Sequence, residues 1–134
     1  MKDAIQNVAA GIFIKDRQVL IAQRNRTTRN PAFRGLWEFP GGKQEEGETI
    51  LQCLEREIME EFAVRCRADK ILIESPYAYD FGAINLVGIS GELLDENLTL
   101  TVHDAYRWVR IEDLPNYAFP PADLPLIEHI KNLR

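Results

Sequence analysis

One amphipathic segment, set between strand-like stretches on both sides, constrains this chain most. From Thr49 to Phe62 apolar residues recur at helical spacing, and Thr49 with Gln52 forms a capping-box pattern that predicts where the helix begins. A second helix is predicted from Asp123 to Leu133. Helices placed between and after a series of strands indicate a mixed sheet with helices on both faces, an α/β fold class.

The strand predictions rest on runs of β-branched and apolar residues between polar turns. Strands are predicted at Ile5 to Ile14, Val19 to Gln23, Leu36 to Phe39, Val64 to Ser75, Tyr77 to Tyr79, Ala83 to Ser90, Leu98 to Val102 and Tyr106 to Val109. The first two should form a hairpin across the polar turn from Lys15 to Gln18. The stretch from Arg24 to Gly35 is polar and basic and contains a proline, so it is predicted as a loop.

Length and composition favour one compact domain spanning residues 1–134, with 46% hydrophobic and 28% charged residues. Nucleic-acid binders normally carry a basic face, so the net charge of −5 argues against a nucleic-acid partner. No stretch has the length or pattern of a signal peptide or membrane span, which predicts a cytoplasmic protein with no membrane partner. Cys53 and Cys66 have no metal-ligand spacing and are expected to be reduced core thiols.

Three carboxylates share one face of the predicted central helix. Glu57, Glu60 and Glu61 stand at i, i+3 and i+4, away from the apolar stripe. Taken alone, they fit a solvated acidic face as well as a site for a hard cation, which prefers oxygen ligands. The turn Pro40-Gly41-Gly42 just upstream can bring backbone groups close to a ligand, and this favours the cation site.

The stretch from Gly42 to Val64 resembles the Nudix box, G-x5-E-x7-R-E-U-x-E-E-x-G-U, in which U is apolar. The matching positions are Gly42, Glu48, Arg56, Glu57, Ile58, Glu60, Glu61 and Val64. Ala63 stands where the family usually has Gly. Because a left-handed conformation costs Ala about 1 kcal/mol, we expect the helix to end differently here. Ala63 supplies no metal ligand, so this departure does not put activity in doubt.

The resemblance extends beyond the box to most of the chain. Leu36 to Lys43 is similar to the lead-in of the MutT-type branch and of the nearby cytidine-triphosphate pyrophosphohydrolases, and Phe119 to Asp123 is similar to a segment of the same branch. The resemblance implies a Nudix α/β/α sandwich with a mixed β-sheet. It also implies a hydrolase acting on the diphosphate linkage of a nucleotide, with Mg2+ or Mn2+ as cofactor.

The resemblance also assigns the metal ligands. It implies that Glu57, Glu60 and Glu61 bind Mg2+, with the carbonyl of Gly41 as a further ligand. Glu57, Glu60 and Arg56 form the implied catalytic set. Glu57 is the leading candidate for the general base, and a purely metal-binding role for it stays open.

Other box residues are implied to be structural. Arg56 and Glu48 are expected to pair, since a guanidinium can hold carboxylates in position by bidentate hydrogen bonds. Gly42 fills the first glycine position of the motif. Many relatives carry an additional catalytic or metal-binding Glu in a loop before a Trp-containing strand. Val102 occupies that position here, and Asp104 is the alternative base.

Four residues are implied to contact the nucleotide. Arg24 and Lys43 are candidates for the phosphates, with solvated surface cations as the alternative. Tyr79 aligns with an aromatic beside the base, or else it is a core aromatic. Asp123 reads the base, caps the second helix, or does both. An ionised Asp only accepts hydrogen bonds, so Asp123 favours a base edge that presents donors.

The preferred function is Mg2+-dependent hydrolysis of a nucleoside triphosphate to a monophosphate and pyrophosphate. The substrate would be 8-oxo-dGTP or a modified or pyrimidine nucleotide, and the role would be sanitising the nucleotide pool. The alternatives are hydrolysis of ADP-ribose or a nucleotide sugar, and non-catalytic nucleotide sensing on the same fold. In each case the partner is a small-molecule nucleotide, and the protein is a monomer or homodimer.

Overall fold

The computed structural model of the protein describes residues 5–25 and 31–133. Its strands are β1 (Gln6–Lys15), β2 (Gln18–Arg24), β3 (Trp37–Glu38), β4 (Gly41–Lys43), β5 (Cys66–Tyr79), β6 (Gly82–Leu93) and β7 (His103–Arg110). Its α-helices are α1 (Ile50–Phe62) and α2 (Leu124–Lys131), and short 3-10 helices cover Pro31–Phe33, Ile111–Asn116 and Pro121–Asp123. Both predicted helices are present, with α2 shorter than expected.

The described strands form one mixed sheet in the order β3-β2-β1-β6-β5, with β4 pairing β1 and β7 pairing β2. Strand β6 runs parallel to β1 and antiparallel to β5. The predicted hairpin between β1 and β2 is confirmed. Its turn residues Asp16 and Arg17 have φ values of 54° and 63°, as a tight hairpin turn requires.

Strand β1 separates two hydrophobic cores because its successive side chains point to opposite faces of the sheet. Ala10 and Ile12 belong to the core that contains Leu126 of α2. Ala9 and Phe13 belong to the core that contains Leu54 of α1. The sheet therefore lies between the two helices, and the predicted α/β/α sandwich is confirmed.

Helix α1 begins as the sequence predicts and ends in a way it does not. The Thr49 side chain accepts from the Gln52 amide at 3.1 Å, and the Gln52 side chain accepts from the Thr49 amide at 2.9 Å. The expectation that Ala63 would end the helix differently is wrong, since it adopts the left-handed conformation at φ 57° and ψ 34°. Its neighbours Phe62 and Val64 are both buried, and their packing holds the backbone in this conformation.

Two predictions of local structure, one of a turn and one of a strand, are wrong because neither allowed for tertiary hydrogen bonding. The turn predicted at Gly41 and Gly42 is part of β4, which pairs with β1 through Ala9 and Ala10. The strand predicted from Leu98 to Val102 is absent. This segment instead donates backbone hydrogen bonds to the carbonyls of the last residues of α1, from Thr99 to Phe62 and from Thr101 to Glu61.

Strand β5 was predicted as two strands interrupted at Pro76, and this interruption is wrong. The ladder with β6 continues through Pro76, which pairs with Asn85. Because β5 lies at the end of the sheet order, a residue without an amide hydrogen is tolerated there. Of the loop predicted from Arg24 to Gly35, residues 26–30 lie outside the described residues, and a short 3-10 helix follows them.

Cys53 and Cys66 are both buried and free, as predicted. Burial raises the pKa of each thiol to about 12. Among the described helices, none has the length and apolar character needed to cross a membrane.

Candidate active site

A cleft of about 770 Å³ opens between the sheet and the N-terminal side of α2. Seven of the residues predicted to belong to the site line this cleft: Arg24, Gly41, Gly42, Lys43, Glu61, Tyr79 and Asp123. Glu48, Arg56, Glu57 and Glu60 do not line the cleft. They form a network behind it, which contacts Gly42 and Lys43.

Arg56 is the centre of that network. Its Nε and Nη2 donate to the two carboxylate oxygens of Glu48, each at 2.9 Å. Its Nη1 donates to Glu57 Oε2 at 3.0 Å and to Glu60 Oε1 at 3.2 Å. The hydrogen bonds from Arg56 lower the pKa of Glu48 to about 2. The structure thus brings Arg56 and Glu48 together in the bidentate pairing that was predicted for them.

Glu57 is held between this arginine and the backbone of β4. A Cβ placed on Gly42 would lie 2.5 Å from Glu57 Oε1 and 2.7 Å from Oε2, inside van der Waals contact. The absence of a side chain at Gly42 is therefore what lets the Glu57 carboxylate lie against the backbone of β4. Gly42 was predicted to be structural without a stated reason, and the reason is steric: a side chain there would overlap the Glu57 carboxylate.

Glu61 is the buried carboxylate of the site. One of its oxygens, Oε1, has no hydrogen-bond partner in the described part of the chain. The group lies close to the Gly41 backbone and to the Glu57 side chain. Burial, then the charges of Glu38 and Glu57, raise the pKa of Glu61 well above its usual range. A proton or a cation is needed at this position to neutralise the pair.

Glu60 is placed differently from the other two helix glutamates. Its side chain is 58% exposed and is directed to Arg56. Within residues 5–25 and 31–133, no three His, Cys, Asp or Glu side chains already form a cluster that could hold a metal ion. The structure brings Glu57 and Glu61 together and leaves Glu60 beside them on the arginine.

Asp123 is buried at another part of the cleft and accepts a backbone hydrogen bond from Phe39. Burial, then the charge of Glu38, raises its pKa well above the usual range. The predicted role as a helix cap is wrong, because the Asp123 side chain makes no capping hydrogen bond to α2. Its carboxyl group points instead into the interior beside the cleft.

Tyr79 lies beside Asp123 in an aromatic cluster. Its hydroxyl accepts a hydrogen bond from the Ala122 amide at 2.9 Å. Its ring stacks on Phe81 with centroids 5.2 Å apart and meets Phe33 edge-to-face at 5.3 Å. Because all three rings line the cleft, this end offers an aromatic surface to a ligand.

The two predicted phosphate contacts differ in their surroundings. Lys43 is exposed at the rim of the cleft. Arg24 is held by other groups, since its Nε donates to Glu38 Oε1 at 2.9 Å and its guanidinium lies 5.2 Å from the centre of the Phe33 ring. Arg24 therefore shapes the wall of the cleft in this structure.

Glu38 and His103 line the cleft and were missed in the sequence. His103 Nε2 lies 2.7 Å from Glu38 Oε2. The prediction placed Asp104 as the alternative base, but Asp104 is exposed and does not line the cleft. Alternation along β7 explains the difference, because it turns His103 inward and Asp104 outward. The same alternation applies to β3. Because Trp37 lies in the core, the next residue, Glu38, faces the opposite way, and this pattern was the signal that could have identified it.

The sequence profile of the NUDIX domain matches residues 5–130. This chain belongs to the Nudix family. The family resemblance stated for the box is thereby confirmed over nearly the whole chain, and the protein is a Nudix hydrolase.

Named relatives of this Nudix protein share most of its length. A CTP pyrophosphohydrolase of Escherichia coli K12 is 32% identical over 127 residues, covering 95% of this chain and 92% of that protein. An 8-oxo-dGTP diphosphatase of Haemophilus influenzae is 30% identical over 134 residues, covering 98% and 96%. The solution structure of the E. coli ORF135 protein matches with a TM-score of 0.81 at 31% identity, covering 97% of this chain and 91% of that one.

Nudix hydrolases generally use divalent metals such as Mg2+. The residues of this site fit such an ion. Glu61 has a buried oxygen without a partner among the residues that the structure describes, and Glu57 beside it supplies a second carboxylate. Carboxylate oxygens are the ligands that Mg2+ prefers. The two positive charges of the ion would neutralise Glu57 and Glu61 in place of the proton that this pair would otherwise need.

Proposed function

We propose that this Nudix hydrolase converts a nucleoside triphosphate and water to a nucleoside monophosphate and pyrophosphate, with Mg2+ as cofactor. The observation that carries the proposal is the Glu61 oxygen that has no hydrogen-bond partner within residues 5–25 and 31–133, in a cleft that also contains the Tyr79 cluster. A volume of about 770 Å³ suits a nucleotide-sized ligand. Such a ligand needs charge neutralisation at its phosphates and an aromatic surface at its base. The names of the two relatives, on CTP and 8-oxo-dGTP, agree with this substrate class.

Glu57 and Glu61 would hold the ion, with Glu60 and the carbonyl of Gly41 as the further predicted ligands. A bound Mg2+ draws charge from phosphate oxygens and makes water more acidic. Arg56 fixes Glu57 through its Nη1 and orders Glu60 at the same time. Lys43, at the rim of the cleft, is placed to neutralise a phosphate oxygen.

Glu57 is our candidate for the general base. It would take the proton of the attacking water while the water oxygen bonds to phosphorus and the bridging oxygen leaves with pyrophosphate. Asp104 is not supported as the base, since its side chain is exposed on the outward face of β7, whereas Glu57 lies beside Glu61, which lines the cleft. Val102 lines the cleft in the position where many relatives carry a loop Glu, so the helix carboxylates must supply this function.

Asp123 and Tyr79 would bind the base. The raised pKa of Asp123 favours its neutral form, which offers one hydrogen-bond donor and one acceptor. This refines the expectation of an acceptor-only group. A neutral carboxyl matches the adjacent donor and acceptor on the edge of guanine, 8-oxoguanine or cytosine, and this is consistent with a role in sanitising the nucleotide pool.

The test is a panel of CTP, dCTP, dGTP, 8-oxo-dGTP and ADP-ribose with Mg2+, analysed for pyrophosphate and orthophosphate by ion chromatography. We expect pyrophosphate and a nucleoside monophosphate from at least one triphosphate. Orthophosphate alone, or no turnover of any triphosphate, would overturn the proposal. Glu57→Gln should lower kcat by about a hundredfold or more, as loss of a general base does. Glu46→Gln is the control, since Glu46 is exposed in the preceding loop.

A further inference from the structure

Glu38 is a carboxylate with both oxygens held in place. Its Oε1 accepts from Arg24 Nε at 2.9 Å, and its Oε2 is hydrogen-bonded to His103 Nε2 at 2.7 Å. The three residues come from β3, β2 and β7, and all of them line the cleft. With 17% of its side chain exposed, Glu38 is fixed in orientation and open to a ligand.

The surroundings of His103 determine which nitrogen carries its proton. Its side chain is 3% exposed, and its ring stacks on Phe62 with centroids 5.5 Å apart. Its Nδ1 is buried and has no hydrogen-bond partner in the part of the chain that the structure describes. An unpartnered N–H is rarer in protein interiors than an unpartnered lone pair. The proton therefore belongs on Nε2, which donates to Glu38.

Glu38 lines the cleft close enough to both of its ends for its charge to act on each. Its charge acts on Glu61, which lies beside Glu57 and Gly41. The same charge acts on Asp123, which lies beside Tyr79 and Phe39. A nucleotide with phosphates at the first end and a base at the second would place its sugar next to Glu38.

We propose that Glu38 determines substrate specificity by accepting a hydrogen bond from a sugar hydroxyl of the nucleotide, and that His103 and Arg24 are its positioning residues. The proposal rests on the proposed function, which sets the direction of the nucleotide in the cleft. Each Glu38 oxygen keeps a lone pair after the one hydrogen bond that it makes within the described part of the chain. A hydroxyl donating to a carboxylate makes a short, charge-assisted bond, so removing that hydroxyl should be costly.

The test compares CTP, 2′-deoxy-CTP, 3′-deoxy-CTP and UTP, and the matching guanosine series, on the wild type and Glu38→Met. The variant keeps the length of the side chain and has no oxygen acceptor. For the wild type we expect kcat/KM to fall about tenfold or more when the contacted hydroxyl is absent, as for a hydrogen bond to a charged group. For Glu38→Met the fall should be less than about threefold. Equal hydroxyl dependence in both proteins would overturn the proposal, as would an effect confined to the choice between CTP and UTP.

Two variants of His103 separate positioning from structural support. His103→Phe keeps a ring on Phe62 and loses the donor, so it should lose hydroxyl discrimination as Glu38→Met does. His103→Gln can donate to Glu38 again and should recover it. If Glu38→Met fails to fold, the His103 pair carries the test. Asp104→Asn is the control, because Asp104 is adjacent in β7, exposed and outside the cleft.

Binding measurements distinguish failure of this inference from failure of the proposed function. If the wild type hydrolyses no triphosphate, the proposed function fails. Calorimetric titration of CMP, GMP and their 2′-deoxy and 3′-deoxy forms then decides the inference. Hydroxyl-dependent affinity that is lost in Glu38→Met supports it. Absence of binding, or affinity independent of the hydroxyls, overturns it.

Discussion

The carboxylate of Glu57 lies against the backbone of Gly42 so closely that no side chain fits at that glycine. Gly42→Ala should therefore push Glu57 out of position while leaving the fold intact. A displacement of about 1 Å at a catalytic group costs on the order of a hundredfold in rate, so we expect kcat to fall by that factor. Steady-state pyrophosphate release measures it, and circular dichroism checks folding.

Gly91→Ala is the matched control for that substitution. A Cβ there would lie 2.9 Å from the ring of Phe13, a residue of the core under α1 and away from the cleft; this clash is milder than the 2.4 Å contact with Glu57 at Gly42. It should lower the melting temperature and change kcat by less than twofold. If Gly91→Ala lowered kcat as much as Gly42→Ala, the steric explanation for Gly42 would be wrong.

Magnesium should stabilise the protein through Glu61. A ligand at about a hundredfold its Kd adds roughly 2.7 kcal/mol to the free energy of unfolding. Mg2+ should therefore raise the melting temperature of the wild type by several degrees, and this shift should be absent in Glu61→Gln. Thermal melts with and without Mg2+ measure it. An unchanged shift in Glu61→Gln would remove Glu61 from the metal site.

Asp123 should make the protein less stable as pH rises. Its pKa is raised well above 3.8, so between 3.8 and the raised value the folded state holds a proton that the unfolded state has lost. The stabilisation is complete below pH 3.8 and is lost as pH rises through the folded-state pKa. Asp123→Asn should gain stability relative to the wild type as pH rises, and the difference between the two should be constant below pH 3.8.

Urea denaturation from pH 3 to pH 9 measures that difference. The pKa of Glu61 is raised as well, so part of the dependence of stability on pH should persist in Asp123→Asn. Asp104→Asn serves as the control, because an exposed carboxylate has little desolvation to lose. Parallel stability curves for Asp123→Asn and the wild type would contradict the prediction.

Ala63 should be a site where glycine stabilises the fold. Its left-handed conformation costs an L-residue about 1–2 kcal/mol, and glycine gives back part of that through its greater freedom when unfolded. We expect Ala63→Gly to raise the free energy of unfolding by about 0.5–1 kcal/mol without changing kcat. Urea denaturation measures it, and Ala63→Val should destabilise. A loss of stability in Ala63→Gly would show that the helix end is not strained.

The parts of the fold that could be predicted are those fixed by local spacing. The capping box at Thr49, the apolar stripe of α1 and the β1–β2 hairpin are each determined within a few residues. The predictions for β4 and for the segment from Leu98 to Val102 were wrong because both segments hydrogen-bond to partners that are distant in the sequence. The sequence around them holds no signal for those partners.

The same limit explains the site. Glu48, Arg56 and Glu57 could be assigned together because a motif fixes their separation. Glu38 and His103 are 65 positions apart, and strand pairing through β2 brings them together. Neither belongs to a motif, so their contact could only be found once the register of the three strands was known.

The separation of the cleft into two ends has a consequence for how such enzymes diversify. The glutamates Glu57, Glu60 and Glu61 are carried by α1, with Glu57 against Gly42 of β4, whereas Tyr79 and Asp123 come from the end of β5 and the segment before α2. Tyr79 and Asp123 lie outside the Nudix box, which contains the three glutamates. If Tyr79 and Asp123 contact the base as proposed, substitutions there can alter which nucleotide is accepted while the hydrolytic chemistry stays the same. Related proteins could then evolve separate preferences from one inherited reaction.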